Sequence, residues 1–356
     1  MRPAFDFDNT PFLAFWETTQ ACDLACQHCR ASAVPDRHPD ELSTREGKEL
    51  MDEVLALGCR LIVLTGGDPA KRPDLVELVR YGTDIGLRVA LTPSATPLVT
   101  DQLLTDLKAA GLARLAISLD GVDAATHDAF RGVAGSFDRT LQILRTAREL
   151  GLTTQVNTSI TPANEHQLEP IAGLIEDLGL QLWGVFVLVP TGRAQVEDVL
   201  DAPALEGVLE RLADLAETAP FDIKTTAAPQ YRRVLMQRKV KRREIVGIED
   251  GIGRAPRGVN DGQGIVFVSH RGDIQPSGFL PLVCGNVRVQ GLTRTYRHDP
   301  VFEMLREPEL LGGKCGPCEF KRVCGGSRAR AYAMAGNMLA EEPSCDHQPR
   351  RLQVPG

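Results

Sequence analysis

Residues 12–29 read FLAFWETTQACDLACQHC: an apolar run suited to a buried strand, a short polar exit, then Cys22, Cys26 and Cys29 spaced C-x3-C-x2-C. Three thiolates can hold a four-iron cluster while leaving one iron without a protein ligand. An open iron is where a small molecule can coordinate and accept an electron. The strand before the loop also begins an alternation of β-rich runs and amphipathic helices that continues to about residue 222.

Ser43 and Thr44 are the expected N-caps of the helix REGKELMDEVLALG. Strands RLIVLTGG, LRVALT, LARLAISLD, TTQVNTSIT and LQLWGVFVLV follow, each separated from the next by helical sequence, and glycines 58, 86, 111, 151 and 179 close helices. Six apolar strands in this pattern are βα units around a parallel sheet, and a six-unit open barrel and a doubly wound sheet both fit the periodicity. Residues 223–262 carry the basic stretch QYRRVLMQRKVKRREI and a glycine-rich stretch, read as a linker or lid. GIVFVSHRGDIQP, residues 264–276, has the pattern of a hairpin turning at Arg271-Gly272-Asp273, and the remainder to residue 356 is a small cysteine-bearing module.

The chain has 356 residues, 43% of them hydrophobic, with 40 Lys and Arg against 47 Asp and Glu. A net charge of -7 argues against a nucleic-acid partner. The opening MRPAFDFDNT lacks the features of a signal peptide and no run approaches a membrane span, so the expected location is cytoplasmic, with no membrane partner. Nine clustered cysteines in such a protein point to metal rather than to disulfides. Cys315, Cys318, Cys324 and Cys345 form a second set, whose four thiolates would saturate either a four-iron cluster or a tetrahedral zinc ion. Cys59 reads as a buried small hydrophobe; Cys284 fits a ligand or substrate-facing thiol less well than a structural role.

The C-x3-C-x2-C loop after the first strand, Gly66-Gly67-Asp68-Pro69 after the second and the C-terminal cysteines together resemble the radical S-adenosylmethionine (SAM) enzymes. The resemblance implies a partial (β/α)6 TIM-like barrel as the core, over residues 12–222, and a SPASM/twitch-like iron–sulfur domain over residues 263–356. It implies that Cys22, Cys26 and Cys29 are the metal-binding and catalytic cysteines, holding a [4Fe-4S] cluster that chelates SAM. Reductive cleavage of SAM there gives a 5'-deoxyadenosyl radical, which takes a hydrogen atom from substrate. Gly66, Gly67, Asp68 and Pro69 match the family's GGEP turn, with Asp68 as an acceptor for the SAM ammonium. Thr92, Ser94, Ser118, Asp120 and Asn157 lie at strand ends where the family binds the ribose and carboxylate. His28 occupies the usual aromatic position before the third cysteine; it either lies against adenine or is a polar loop residue.

By the same resemblance Cys315, Cys318, Cys324 and Cys345 hold one auxiliary [4Fe-4S] cluster, since Arg328 stands where a full SPASM pattern has a further cysteine. An external reductant such as flavodoxin or ferredoxin is implied. WETTQACDLACQHCRASA, VPTGRA, PSGFLPL and CGPCEFKRVCGGSRARAYA most resemble the subfamily acting on iron-porphyrinoids in heme and heme d1 synthesis. Arg193, Arg232, Arg233, Arg238, Lys239 and Arg242 are then candidate partners for substrate carboxylates. A ribosomal-peptide maturase is the rival reading, and a non-catalytic iron–sulfur electron carrier a third. Only about eleven residues precede the first strand, short of the usual peptide-recognition extension.

Overall fold

The computed structural model describes residues 6–243 and 258–352. Seven strands alternate with helices: β1 (Leu13–Glu17), α1 (Thr44–Ala56), β2 (Leu61–Thr65), α2 (Leu75–Asp84), β3 (Arg88–Leu91), α3 (Asp101–Ala109), β4 (Arg114–Ser118), α4 (Ala124–Arg131), α5 (Ser136–Glu149), β5 (Thr154–Ile160), α6 (Leu168–Asp177), β6 (Leu182–Val187), α7 (Ala202–Thr218) and β7 (Asp222–Thr226). Then come α8 (Gln230–Lys241), β8 (Ile265–Val268), β9 (Asp273–Gln275), β10 (Gly285–Asn286), α9 (Leu292–His298), α10 (Pro300–Arg306) and α11 (Arg328–Ala335). The ten strands among the described residues form one sheet, ordered β10-β9-β8-β1-β2-β3-β4-β5-β6-β7, and β1 to β7 pair in parallel with their sequence neighbours.

Local chemistry explains the units. Ser43 and Glu46 make a reciprocal capping box that starts α1, a device that stabilises a helix by about 1 kcal/mol. Gly58 and Gly111 end their helices at φ 89° and 87°, in the left-handed region that favours glycine. On the helix-covered face of the sheet Ile62, Leu64, Leu115, Ile117, Val156, Trp183 and Val185 are fully buried in one continuous core. Their neighbours Val63, Thr65, Ser118, Asn157 and Phe186 are only half-buried although they lie on interior strands, so the opposite face lines an accessible interior. This is the layering of a partial barrel.

The structure departs from the sequence reading in three places. First, a seventh core strand, β7, pairs with β6 across the expected boundary at residue 222. Its sequence DIKTT buries only Ile223 fully, so it lacks the apolar run that marks the other strands. Second, the predicted hairpin forms, but β8 also pairs with β1 in parallel, and Val266, Ile274, Leu292, Tyr296 and Phe302 belong to the barrel's core. Only the cysteine-bearing part packs around a separate small cluster of Val189, Leu280, Leu305, Ala329 and Met338. Third, the basic stretch is α8, and its charges are spent on α7: Arg233 pairs with Glu206, Arg238 with Glu210 and Asp214, and Arg242 with Glu217. Residues 244–257 of the expected lid lie outside the described residues.

Candidate functional site

The cysteine loop leaves the carboxyl end of β1 and is stitched to the turn after β2. Gly67 N–H donates to Thr19 O at 2.8 Å and Asp68 N–H to Ala21 O at 2.7 Å. A Cβ on Gly66 would lie 2.4 Å from Thr19 O, and one on Gly67 2.4 Å from Gln20 O, so this approach of two backbones excludes any side chain. Pro69 is buried and opens a short helical turn at Pro69–Lys71.

Asp68 is fully buried, and its carboxylate accepts from Ala70 N–H (3.0 Å), Ser94 N–H (3.2 Å) and Thr96 Oγ1 (2.7 Å). Burial raises its pKa. Both oxygens are used inside the protein, fastening the loop after β3 to the turn after β2. Ser94 Oγ in turn donates to Gly67 O at 3.0 Å and lies 3.3 Å from Cys22 Sγ. Thr92 is half-buried at the end of β3, its N–H donating to Leu64 O.

Ser118 and Asn157 are in register on adjacent strands and half-buried on the interior face. Asn157 Oδ1 accepts from Gln155 Nε2 at 2.6 Å. Asp120 is engaged within the protein. It is fully buried, ion-paired with Arg131 and accepting from Ser159 N–H at 2.8 Å. Burial opposes its charge, but Arg131, His28, His127 and the Ser159 N–H together more than offset this and hold its pKa low. His28 lies 5.2 Å from the Phe130 ring with Nδ1 buried and unpartnered, and burial lowers its pKa to about 4.

Seven of the nine free cysteines accept hydrogen bonds at sulfur or lie against a cation. Cys22 Sγ accepts from Leu24 N–H, Cys318 Sγ from Phe320 N–H and Cys324 Sγ from Gly326 N–H, each at 3.4 Å and each two residues on. Cys345 receives the same contact from His347 N–H. Cys29 Sγ accepts from Ala33 N–H and Cys315 Sγ from Glu342 N–H, while Arg131 Nη1 approaches Cys26 Sγ at 3.8 Å. By contrast Cys59 and Cys284 donate to carbonyl oxygens, of Leu61 (3.3 Å) and Leu282 (3.5 Å). A thiolate can only accept, so the seven suit metal ligation; Cys59 also receives backbone contacts from Leu61 and Ala14, and it is set apart by its burial in the main apolar core rather than by its hydrogen bonds.

Cys315, Cys318, Cys324 and Cys345 line one cavity with Arg233, Lys314, Glu342 and His347. Burial pushes the Cys324 thiol up to about 12 and the Cys345 thiol to about 11, so a metal cation is needed to make thiolates here at neutral pH. Arg328, which replaces a cysteine of the full pattern, reaches back to Cys315 Sγ (3.9 Å) and donates to Met338 O and Ala340 O. The donor sets of both sites fit iron–sulfur clusters: three soft ligands in one, four in the other.

The radical SAM superfamily model matches residues 16–178. The chain is 43% identical over 354 residues to an AdoMet-dependent heme synthase of Nitratidesulfovibrio vulgaris, covering 99% of this chain and 96% of that protein. The chain belongs to the radical SAM superfamily. It is also 30% identical over 360 residues to a PqqA peptide cyclase of Rhodopseudomonas palustris, covering 95% and 88%. The crystal structure of Streptococcus suis SuiB bound to S-adenosylmethionine shares the fold, with a TM-score of 0.73 at 16% identity, covering 97% of this chain and 78% of that one. As a radical SAM enzyme the protein uses SAM and a [4Fe-4S] cluster. Among the described residues no helix is long and apolar enough to cross a membrane.

Sequence reasoning missed Arg131 and the roles of Asp68, Asp120 and Arg328, because these are set by contacts between distant segments. It also missed an aromatic group at the barrel interior. Phe186 meets Phe279 of the PSGFLPL segment at 6.2 Å, and Arg30, next to Cys29, lies 4.8 Å over Phe267 and pairs with Glu17. The quoted PSGFLPL match was the available signal, but its position over the barrel was not.

Proposed function

We propose that this radical SAM enzyme acts on an iron-porphyrinoid in heme synthesis, converting propionate side chains to vinyl groups. The whole-length identity of 43% to a heme synthase, against 30% to a peptide cyclase, carries the reading. In it Cys22, Cys26 and Cys29 hold the SAM-binding cluster, which supplies one-electron cleavage of SAM when bound. Gly66, Gly67 and Pro69 shape the turn beside it, Ser94 adjoins Cys22, and Thr92, Ser118 and Asn157 offer polar groups to SAM from the strand ends. Phe186 and Phe279 offer a flat apolar ring a stacking surface. Of the basic residues, Arg193 remains suited to a substrate carboxylate: its Nε and Nη2 are buried without a partner, and its N–H donates to Cys29 O at 3.0 Å.

The chemistry gives the second cysteine set a task. Hydrogen removal from the propionate β-carbon leaves a carbon radical, and breaking the bond to the carboxylate then yields the vinyl group, carbon dioxide and one electron. Cys315, Cys318, Cys324 and Cys345 would hold the auxiliary [4Fe-4S] cluster that takes this electron. A flavodoxin or ferredoxin would reduce the first cluster, and the cytoplasm would be the setting.

The test is an anaerobic incubation of the reconstituted, reduced protein with SAM and an iron-porphyrin bearing propionates. The reading predicts one 5'-deoxyadenosine and loss of the elements of formic acid per propionate converted. SAM cleavage with no binding or change of any iron-porphyrin would overturn the substrate and favour a peptide.

A further inference from the structure

We infer that Arg131, oriented by Asp120, is a positioning residue that sets the reduction potential of the SAM-binding cluster. The carboxyl end of α4 grips the cysteine loop on either side of its second cysteine, Cys26. Ala25 N–H donates to Arg131 O at 3.1 Å and Gln27 N–H to Phe130 O at 3.3 Å. Gly132 follows at φ 67°, where a Cβ would lie 2.7 Å from Ala25 O, so the contact depends on glycine. From this grip the Arg131 side chain, 12% exposed, sends Nη1 toward Cys26 Sγ and Nη2 to the fully buried Asp120 carboxylate. Its Nε is buried without a partner. A surface brace would not need a buried cation touching a thiol.

The physical consequence has a sign. Reduction adds one negative charge to a cluster, and a cation against a ligand sulfur stabilises the reduced form more than the oxidised one. Solvent screens little at this depth, so the effect reaches the iron. Asp120 opposes it from the far side of the guanidinium while fixing its direction, with Ser159 N–H holding the other carboxylate oxygen. Removing Arg131's charge must therefore lower the potential, and removing Asp120's charge must raise it. A purely structural ion pair would give both losses the same effect.

The inference rests on the reading that Cys22, Cys26 and Cys29 hold the cluster. The test is a redox titration of the full-length, anaerobically reconstituted protein followed by electron paramagnetic resonance, using the signal that changes when SAM is added. Arg131→Met should lower its midpoint by the equivalent of about tenfold in the one-electron equilibrium, ~59 mV. Asp120→Asn should raise it, and Arg131→Lys should stay closest to the parent protein. Unchanged midpoints in Arg131→Met, or shifts of the same sign in Arg131→Met and Asp120→Asn, would overturn the inference. If Asp120→Asn fails to fold, the lysine and methionine variants decide: equal shifts in both would overturn it. Parent protein without any SAM-responsive signal would overturn the cluster reading itself.

Discussion

The loop at the carboxyl end of β1 offers three sulfurs with one guanidinium, Arg131, at Cys26, and Ser94 beside Cys22 at the barrel's edge. The C-terminal module instead closes four sulfurs around one cavity whose lining includes Arg233 and Lys314, with the buried Arg328 reaching Cys315. Both use backbone N–H groups to receive thiolates, so the ligand chemistry is shared. The difference lies in what remains open. A site with three soft ligands and adjacent strand-end polar groups can bind a further ligand, while a four-ligand site among cations would, with a four-iron cluster bound, exchange electrons and leave no vacant iron position.

The strongest break of this comparison is to remove each cysteine set. Cys22, Cys26 and Cys29 replaced together by alanine should abolish SAM cleavage and leave about one cluster's iron. The Cys315, Cys318 and Cys324 triple variant should keep SAM cleavage and lose only the other cluster, as read by iron analysis and 5'-deoxyadenosine formation. Zinc in the C-terminal site would refute the iron assignment there.

Next in size is Arg328→Met, which leaves Met338 O and Ala340 O without their charged donor. A loss of about 3 kcal/mol is expected, seen as release of C-terminal iron in mild denaturant while the SAM-responsive signal persists. Equal loss at both sites would show that the two are not separately built.

Asp68→Asn sharpens the N-terminal side. It keeps the shape but weakens three accepted hydrogen bonds, for a cost of about 1–3 kcal/mol in stability. SAM affinity should fall only as far as the Ser94 loop loosens. Complete loss of SAM binding at unchanged unfolding midpoint would return Asp68 to the role of direct ligand contact.

The last effect separates the two regions by pH. His127 on α4 is buried, its Nδ1 accepting from Asp120 N–H at 3.1 Å, and burial lowers its pKa to about 4. The unfolded chain binds this proton below about pH 6.5 and the native protein only near pH 4. Stability is therefore complete above pH 6.5 and declines as the pH falls toward 4, by up to about 3 kcal/mol. His127→Gln should flatten this dependence in urea unfolding between pH 7 and 5; an unchanged slope would contradict the assignment.

Much of this was legible in the sequence because it is written locally. The cysteine spacings, the glycines that end helices, the Ser43 cap and the hairpin at residues 264–276 each depend on a few neighbouring residues. β7 was hidden because its inner face is polar. The purposes of Asp68, Asp120, Arg131 and Arg328 were hidden because each is fixed by a segment far along the chain. The charges of α8 looked available to a substrate because their partners lie on α7, some 24 to 28 residues away.

The most direct test of the division between an open and a saturated site is electron paramagnetic resonance of the reduced parent protein with and without SAM. Two cluster signals are predicted, with only the one that depends on Cys22, Cys26 and Cys29 changing when SAM is added. A SAM response in the signal that depends on Cys315, Cys318 and Cys324, or none in either, would contradict the account.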